Sequence, residues 1–141
     1  TFVKRRMRTM LPTKPSVVHE DESKFESSKH KRTGPVRWMT LLSADRTPTS
    51  EIVLGVAEIE PGESGEFRRH SHDHAEVYYI LSGYGVVTIS SNDYSVRPGT
   101  TIFFPRGVEH RTINTGLKSL RFLYIFPTDS FEQIDYKFAE F

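Results

Sequence analysis

Short apolar stretches rich in β-branched and aromatic residues recur along the chain from residue 36 onward, and turn-forming residues separate them. The stretches are VRWMTLL (36–42), EIVLGVAEIE (51–60), EVYYILSG (76–83), YGVVTIS (84–90), DYSV (93–96), TIFF (101–104) and LRFLYIF (120–126). The turns are marked by Pro61-Gly62, Ser82-Gly83, Asn92-Asp93, Pro98-Gly99 and Pro105-Arg106-Gly107. Strands at this spacing, with almost no helical pattern between them, predict an all-β sandwich or barrel.

The first 33 residues break this pattern. Their polar, charge-mixed sequence lacks an apolar period and ends at Gly34-Pro35. We therefore predict a polar N-terminal arm over residues 1–33 and a single β domain over residues 34–141, which is within the usual size of one domain. The arm is expected to be a disordered segment, a strand exchanged in a dimer or a targeting remnant.

Several strands are apolar on both faces, most clearly LRFLYIF and the VYYIL segment. A sheet that carries apolar residues on its outer face needs a cover for that face as well. A second copy of the chain is the simplest cover, so we expect a homodimer.

Composition narrows the possible functions. The chain has 19 basic and 18 acidic residues, a balance that argues against a nucleic-acid partner. It contains no apolar run of about 18 residues, and no signal-peptide core follows the basic start, so we expect a cytoplasmic protein with no membrane association. It has no cysteine, so any metal must be bound by His, Asp, Glu or Tyr.

The segment RRHSHDHAEVYYILSG (68–83) gathers such residues at alternate positions. Because alternate residues of a strand point to the same face, His70 and His72 are expected to point inward together. Glu76 joins them if a tight turn between two adjacent strands preserves the alternation. Two imidazoles and a carboxylate arranged in this way can bind a metal ion. His74 falls in the turn, where we expect a surface or supporting histidine.

A second segment, GTTIFFPRGVEHRTIN (99–114), reads G-x5-P-x-G-x2-H-x3-N, and the first reads H-x-H-x3-E-x6-G through Gly83. Together they resemble the two sequence motifs of the cupin superfamily. The resemblance covers roughly residues 50–127. The first motif departs from the family pattern at its leading glycine, where this chain has Ser64.

The resemblance implies a single-domain cupin β-barrel, also called a double-stranded β-helix or jelly roll. It also implies one divalent metal ion per chain, bound by His70, His72, Glu76 and His110. Three imidazoles and one carboxylate can bind Fe(II), Mn(II), Ni(II), Zn(II) or Cu(II), so the ligands do not determine which of these metals is bound. An octahedral ion with four protein ligands keeps two positions for a small-molecule substrate or O₂.

Two tyrosines are candidates for catalysis. Tyr78 has the same alternation as Glu76, and Tyr136 lies in a C-terminal segment expected to return across the barrel mouth. The pocket is expected to be lined or packed by Trp38, Phe104, Phe122 and Tyr124. The chain combines the pattern H-x-H-x3-E-x-Y with a later histidine and a late tyrosine. In this combination it is similar to dimethylsulfoniopropionate lyases of the cupin superfamily.

This similarity implies a metal-dependent lyase or isomerase that acts on a small polar carboxylate, with a tyrosine as general base. Two alternatives remain open on the residues alone. One is an Fe(II)-dependent dioxygenase that binds O₂ and substrate at the two free positions. The other is a cupin that binds a sugar or another small ligand without turnover.

Overall fold

A computed structural model of the protein describes residues 13–28, 33–62 and 64–139. Within these ranges lie eleven β-strands and two single-turn 3₁₀-helices. The strands are β1 Glu26–Ser27, β2 Val36–Leu42, β3 Val53–Ile59, β4 Glu66–Ser71, β5 Glu76–Ser82, β6 Gly85–Ile89, β7 Asn92–Val96, β8 Thr101–Phe104, β9 His110–Asn114, β10 Leu120–Phe126 and β11 Lys137–Phe138. The 3₁₀-helices are Glu20–Glu22 and Phe131–Gln133.

The strands form two antiparallel sheets that share one core. The first sheet has the order β1-β2-β3-β10-β5-β8 and the second has the order β11-β4-β9-β6-β7. Strand β10 shows the expected alternation, because every second side chain from Leu120 to Phe126 is buried. Val87 and Val96 of the second sheet join the same apolar cluster. The predicted all-β class is confirmed.

One predicted turn is wrong. Asn92 and Asp93 are the first residues of β7, and Asn92 pairs with Ile89 of β6. The chain reverses instead at Ser90 and Ser91, where Ser90 adopts a φ of +55°. A two-residue hairpin turn requires positive φ, for which asparagine is the more usual residue, and this preference explains the error.

The apolar pattern did not mark three strands of the second sheet, which are the two-residue β11 and the longer β4 and β9. Strand β4 has the sequence EFRRHS and β9 has the sequence HRTIN, so both are mostly polar. Both strands carry histidines of the candidate metal site. Each strand has one of these histidines at an inward position and polar residues at most of the others, so the apolar alternation by which a strand is usually detected is missing.

The described part of the N-terminal arm packs against the first sheet. Strand β1 pairs with β2, Lys14 N–H donates to the Pro48 carbonyl, and Glu20 forms an ion pair with Arg121. The boundary at residues 33 and 34 stays a prediction, and residues 1–12 with their basic cluster lie outside the described ranges.

The outer face of the first sheet carries exposed apolar side chains where β5 and β8 adjoin, among them Tyr79, Leu81 and Phe103. The expected homodimer stays a prediction. Across the described ranges, no helix is long and apolar enough to cross a membrane.

Candidate metal centre

Three strands bring the predicted metal ligands together. Strand β4 pairs with β9, and the register shifts by one residue between Phe67 and His70, so that His70 lies directly opposite His110. Such a β-bulge redirects the side chains that follow it. His72 comes just after β4, and Glu76 is the first residue of β5.

The four predicted ligands meet in the interior. One ligand atom from each of His70, His72 and His110 lies within 4.8 Å of the other two. Glu76 Oε1 lies 3.0 Å from His72 Nε2 and 3.4 Å from His110 Nε2. All four side chains are buried, and His70 and His110 are completely so. The three histidines form a group that can bind a metal ion, while ligation by Glu76 stays a prediction.

Backbone carbonyl groups fix the orientation of each imidazole ring. The Nδ1 atoms of His70, His72 and His110 lie 2.6, 2.8 and 3.1 Å from the carbonyl oxygens of Arg68, His74 and Val108 respectively. A ring that donates its Nδ1–H to a carbonyl keeps Nε2 as an unprotonated ligand atom. This arrangement is the usual support for a metal-binding histidine.

Two buried nitrogen atoms test whether these residues fit a cation. The Nε2 atoms of His70 and His110 have no hydrogen-bond partner among the described residues. A buried polar atom without a partner is costly, and a coordinated cation would remove that cost. The donor set of three imidazoles and one carboxylate therefore fits a divalent metal ion, and it does not select which one.

His74 lies in the turn, as predicted. Its side chain is half-buried and is not part of the three-histidine group. Its contribution is the backbone carbonyl that accepts the hydrogen bond from His72.

The local electrostatics differ between the histidines. Burial lowers the pKa of His70 well below its ordinary value, and His110 lowers it further. Burial would also lower the pKa of His72, but the hydrogen bond and negative charge of Glu76 outweigh it, so that this pKa is raised. His70 is therefore held neutral, as metal binding requires, whereas a proton competes for His72.

A cavity of about 340 Å³ adjoins the site through Glu76. Its walls carry eight aromatic side chains, which are Trp38, Phe67, Tyr78, Phe122, Tyr124, Phe131, Tyr136 and Phe138. Ser28, Thr33 and Glu132 supply further polar groups. Phe67, Phe131 and Phe138 were not among the residues expected in the pocket. Phe138 could have been predicted, because it lies two residues after Tyr136 and alternate residues of a strand point to the same side.

Phe104 packs the site, which is one of the two roles expected for it. It does not line the cavity; it is fully buried and packs against the rings of Tyr78 and His110, with centroid distances of 4.7 and 4.2 Å. It therefore supports the tyrosine and the histidine from behind. Trp38, Phe122 and Tyr124 line the cavity, as predicted.

Both candidate tyrosines reach this cavity. The Tyr136 ring lies 5.3 Å from the His70 ring and 5.4 Å from the His72 ring, centroid to centroid, and the Tyr78 ring lies 6.4 Å from that of His110. The Tyr78 hydroxyl interacts with that of Thr112, which lowers the pKa of the phenol but is outweighed by burial. Burial and, after it, the charge of Glu76 raise the pKa of both phenols well above the ordinary value. In the absence of a bound cation, both are neutral.

A family model described as the cupin domain matches residues 55–126. The chain belongs to the cupin family. The fold expected from the two motifs is thus confirmed.

Relatives of this cupin include enzymes of two kinds. It is 35% identical over 129 residues to a dimethylsulfoniopropionate lyase, DddW, of Ruegeria pomeroyi. The aligned region covers 92% of this chain and 83% of the relative. It is 30% identical over 122 residues to the glucose-6-phosphate isomerase of Thermococcus gammatolerans, covering 78% of this chain but only 64% of that protein.

Solved structures share the fold. The polyketide cyclase RemF of Streptomyces resistomycificus superposes with a TM-score of 0.74 at 22% identity, covering 91% of this cupin and 87% of RemF. A predicted oxalate decarboxylase of Thermotoga maritima superposes with a TM-score of 0.69 at 28% identity, covering 80% and 99%. Relatives and neighbours of this cupin therefore carry out several different reactions on one fold, and the site must decide between them.

Proposed function

We propose that the protein is a metal-dependent lyase that cleaves dimethylsulfoniopropionate, or a closely similar sulfonium acid, by β-elimination. The observation that carries this proposal is the composition of the cavity wall beside the candidate ligands. The wall has eight aromatic rings and two carboxylates, and none of its described residues is Lys or Arg. The relative DddW of Ruegeria pomeroyi bears the name of this activity.

The wall is suited to a cationic substrate. Aromatic faces attract a sulfonium or quaternary ammonium group through the ring quadrupole, and the gain is about 2 kcal/mol or more when the site is desolvated. Glu76 and Glu132 add negative charge at two places on the wall. A small zwitterion can therefore direct its cationic end to the rings and its carboxylate to the ligand cluster.

The same wall argues against a phosphorylated sugar. Phosphate is ordinarily bound by Arg, by Lys or by a helix N-terminus. The described part of the cavity wall contains no Lys or Arg, and the helix that contributes to it is a single 3₁₀ turn. The isomerase relatives thus share the fold with this chain, while the lining of its cavity favours the lyase.

In the proposed reaction, one of the two tyrosines transfers the proton. A divalent cation held by His70, His72, Glu76 and His110 would supply Lewis-acid chemistry, which would polarise the substrate carboxylate and lower the pKa of neighbouring acids. Tyr78 or Tyr136 acts as general base in its ionised form, the phenolate, after releasing its own proton to solvent, and removes the α-proton. The electrons of the C–H bond form the α,β-double bond, and the C–S bond breaks with its electron pair remaining on sulfur. The products are dimethyl sulfide and acrylate, and the tyrosine holds the proton.

A product balance with and without air tests this proposal. Protein loaded separately with Fe(II), Mn(II), Ni(II) and Zn(II) is incubated with dimethylsulfoniopropionate, and dimethyl sulfide and acrylate are quantified. We expect the two products in equal amounts, at the same rate in the absence of air. Consumption of O₂ would support the dioxygenase instead. Binding of the substrate without turnover at any metal would support a ligand-binding cupin.

A further inference from the structure

A cluster of two buried serine hydroxyls and one partly accessible carboxylate adjoins the segment that forms one wall of the cavity, outside the metal centre. Asp45 Oδ1 accepts hydrogen bonds from the hydroxyls of Ser43 and Ser130, the latter at 3.0 Å. The two serines are buried, whereas Asp45 is an exposed residue whose side chain keeps 23% of its surface accessible. These residues come from the loop after β2 and the loop after β10, which are distant in sequence.

The cluster fixes the direction of both hydroxyl groups. A serine hydroxyl has one proton to donate, and here each proton goes to Asp45, so the oxygen lone pairs are free to accept. Ser43 Oγ accepts from the N–H of Phe131 at 2.9 Å, and Ser130 Oγ accepts from the N–H of Glu132 at 3.3 Å. Asp45 thereby orients both acceptors that satisfy the start of the 3₁₀-helix Phe131–Gln133.

This 3₁₀-helix forms part of the cavity wall and leads directly to Tyr136. Phe131 and Ile134 line the cavity, and the Phe131 ring lies 6.2 Å from that of Tyr136. On the other side of Tyr136, β11 pairs with β4, with Phe138 opposite His70. Tyr136 is thus held between two anchors, the pairing of β11 at one end and the Asp45 cluster at the other.

We infer that Asp45 is a positioning residue, which holds the segment 130–136 in place and so aims Tyr136 at the metal centre. The inference rests on the proposed function, in which Tyr136 acts on the substrate. A displacement of about 1 Å in a catalytic group can lower the rate about 100-fold. The Asp45 cluster does not touch the ligands, so its loss is expected to alter catalysis and leave metal content unchanged.

Two substitutions at this position separate positioning from charge. Asp45→Ala removes the acceptor, whereas Asp45→Asn keeps an acceptor oxygen for the two hydroxyls. Asp93→Ala is the matched control, because Asp93 accepts a bond from the Thr88 hydroxyl on the remote β6–β7 hairpin. Each variant is assayed for kcat, KM and metal content.

A second readout does not depend on activity. Trp38 is the one tryptophan of the chain and lines the same cavity as Phe131 and Tyr136. Its fluorescence, and the quenching of that fluorescence by iodide, therefore report whether this wall of the cavity has opened.

We expect Asp45→Ala to lower kcat at least about tenfold, to change KM less and to raise the quenching constant of Trp38 about twofold. Asp45→Asn should stay within about threefold of the unmodified protein in kcat, and Asp93→Ala should match it in both readouts.

Unchanged kcat and quenching in Asp45→Ala would overturn the inference, as would equal losses in Asp45→Ala and Asp45→Asn. If Asp45→Ala does not fold, Ser43→Ala replaces it, because that substitution removes the acceptor for the N–H of Phe131. The same changes in kcat and in Trp38 quenching are then expected, and their absence would overturn the inference. An unmodified protein without lyase activity would refute the proposed function alone, because the quenching comparison would still test the anchor.

Discussion

His72 Nε2 lies 3.0 Å from Glu76 Oε1 in the interior of the protein. The carboxylate favours the protonated imidazole and raises the pKa of His72 against the effect of burial. A metal ion binds only the neutral ring, so proton and cation compete at this nitrogen. The pair thus links metal affinity to pH.

The first prediction follows from that link. Below the raised pKa of His72, the apparent affinity for Zn²⁺ should fall about tenfold for each pH unit, and the fall should begin above the ordinary histidine pKa of about 6.5. Competition with a chelator over about pH 5.5 to 8 measures it. In Glu76→Gln the fall should begin at lower pH, although overall affinity is weaker. An affinity independent of pH across this range would contradict the site.

The second prediction concerns the two phenols. A general base ordinarily contributes about 10²–10⁴-fold to the rate. Tyr78→Phe and Tyr136→Phe should both retain bound metal. Whichever of the two removes the general base should lower the turnover rate by about 10²–10⁴-fold. Metal content and turnover are measured on the same preparation. If neither variant loses more than about tenfold, the general-base role of these tyrosines must be abandoned.

Much of this site was predictable from the sequence, because spacing carries the information. Alternation along two successive strands predicted that His70, Glu76 and Tyr78 point inward, and all three are buried, His70 on the second sheet and the other two on the first. The β-bulge that puts His70 opposite His110 was not predictable, since it depends on the pairing of two distant strands. The contribution of Phe131 to the cavity likewise depends on a loop anchored by Asp45, a contact across more than 80 residues.

The third prediction concerns acid stability. Burial alone would raise the pKa of Glu58, but the hydrogen bonds from Arg37 and Arg121, each at 2.5 Å, outweigh it and lower this pKa. A carboxyl whose pKa is lower in the folded chain stabilises the fold above its unfolded pKa, near 4.5. That stabilisation is lost as the pH falls through the folded value.

Urea unfolding of the metal-free protein tests this prediction. Glu58→Gln should lower the free energy of unfolding by about 1 kcal/mol at neutral pH, a modest value because Arg37 is half exposed. The difference should shrink on acidification below about pH 4.5. Chelator is present throughout, so that loss of metal cannot imitate the effect. A difference that grows as the pH falls would contradict the assignment.

The fourth prediction concerns the homodimer. Phe103 on β8 is 63% exposed, and it lies opposite Val77 of β5 on the outer face of the first sheet. We expect the protein to sediment as a dimer and Phe103→Glu to shift it toward the monomer, because a charge would be buried in an apolar contact. Leu117→Glu, at an equally apolar but isolated exposed position, is the control. A monomeric unmodified protein at micromolar concentration would refute the expectation.

The binding of one divalent cation by His70, His72, Glu76 and His110 is the claim on which the others depend. Elemental analysis of the purified protein, after loading with each candidate metal and exhaustive dialysis, tests it most directly. The account predicts one ion per chain in the unmodified protein, and none in a folded variant with all three histidines changed to alanine. An ion that stays bound in that variant, or a complete absence of bound metal in the unmodified protein under every loading condition, would contradict it.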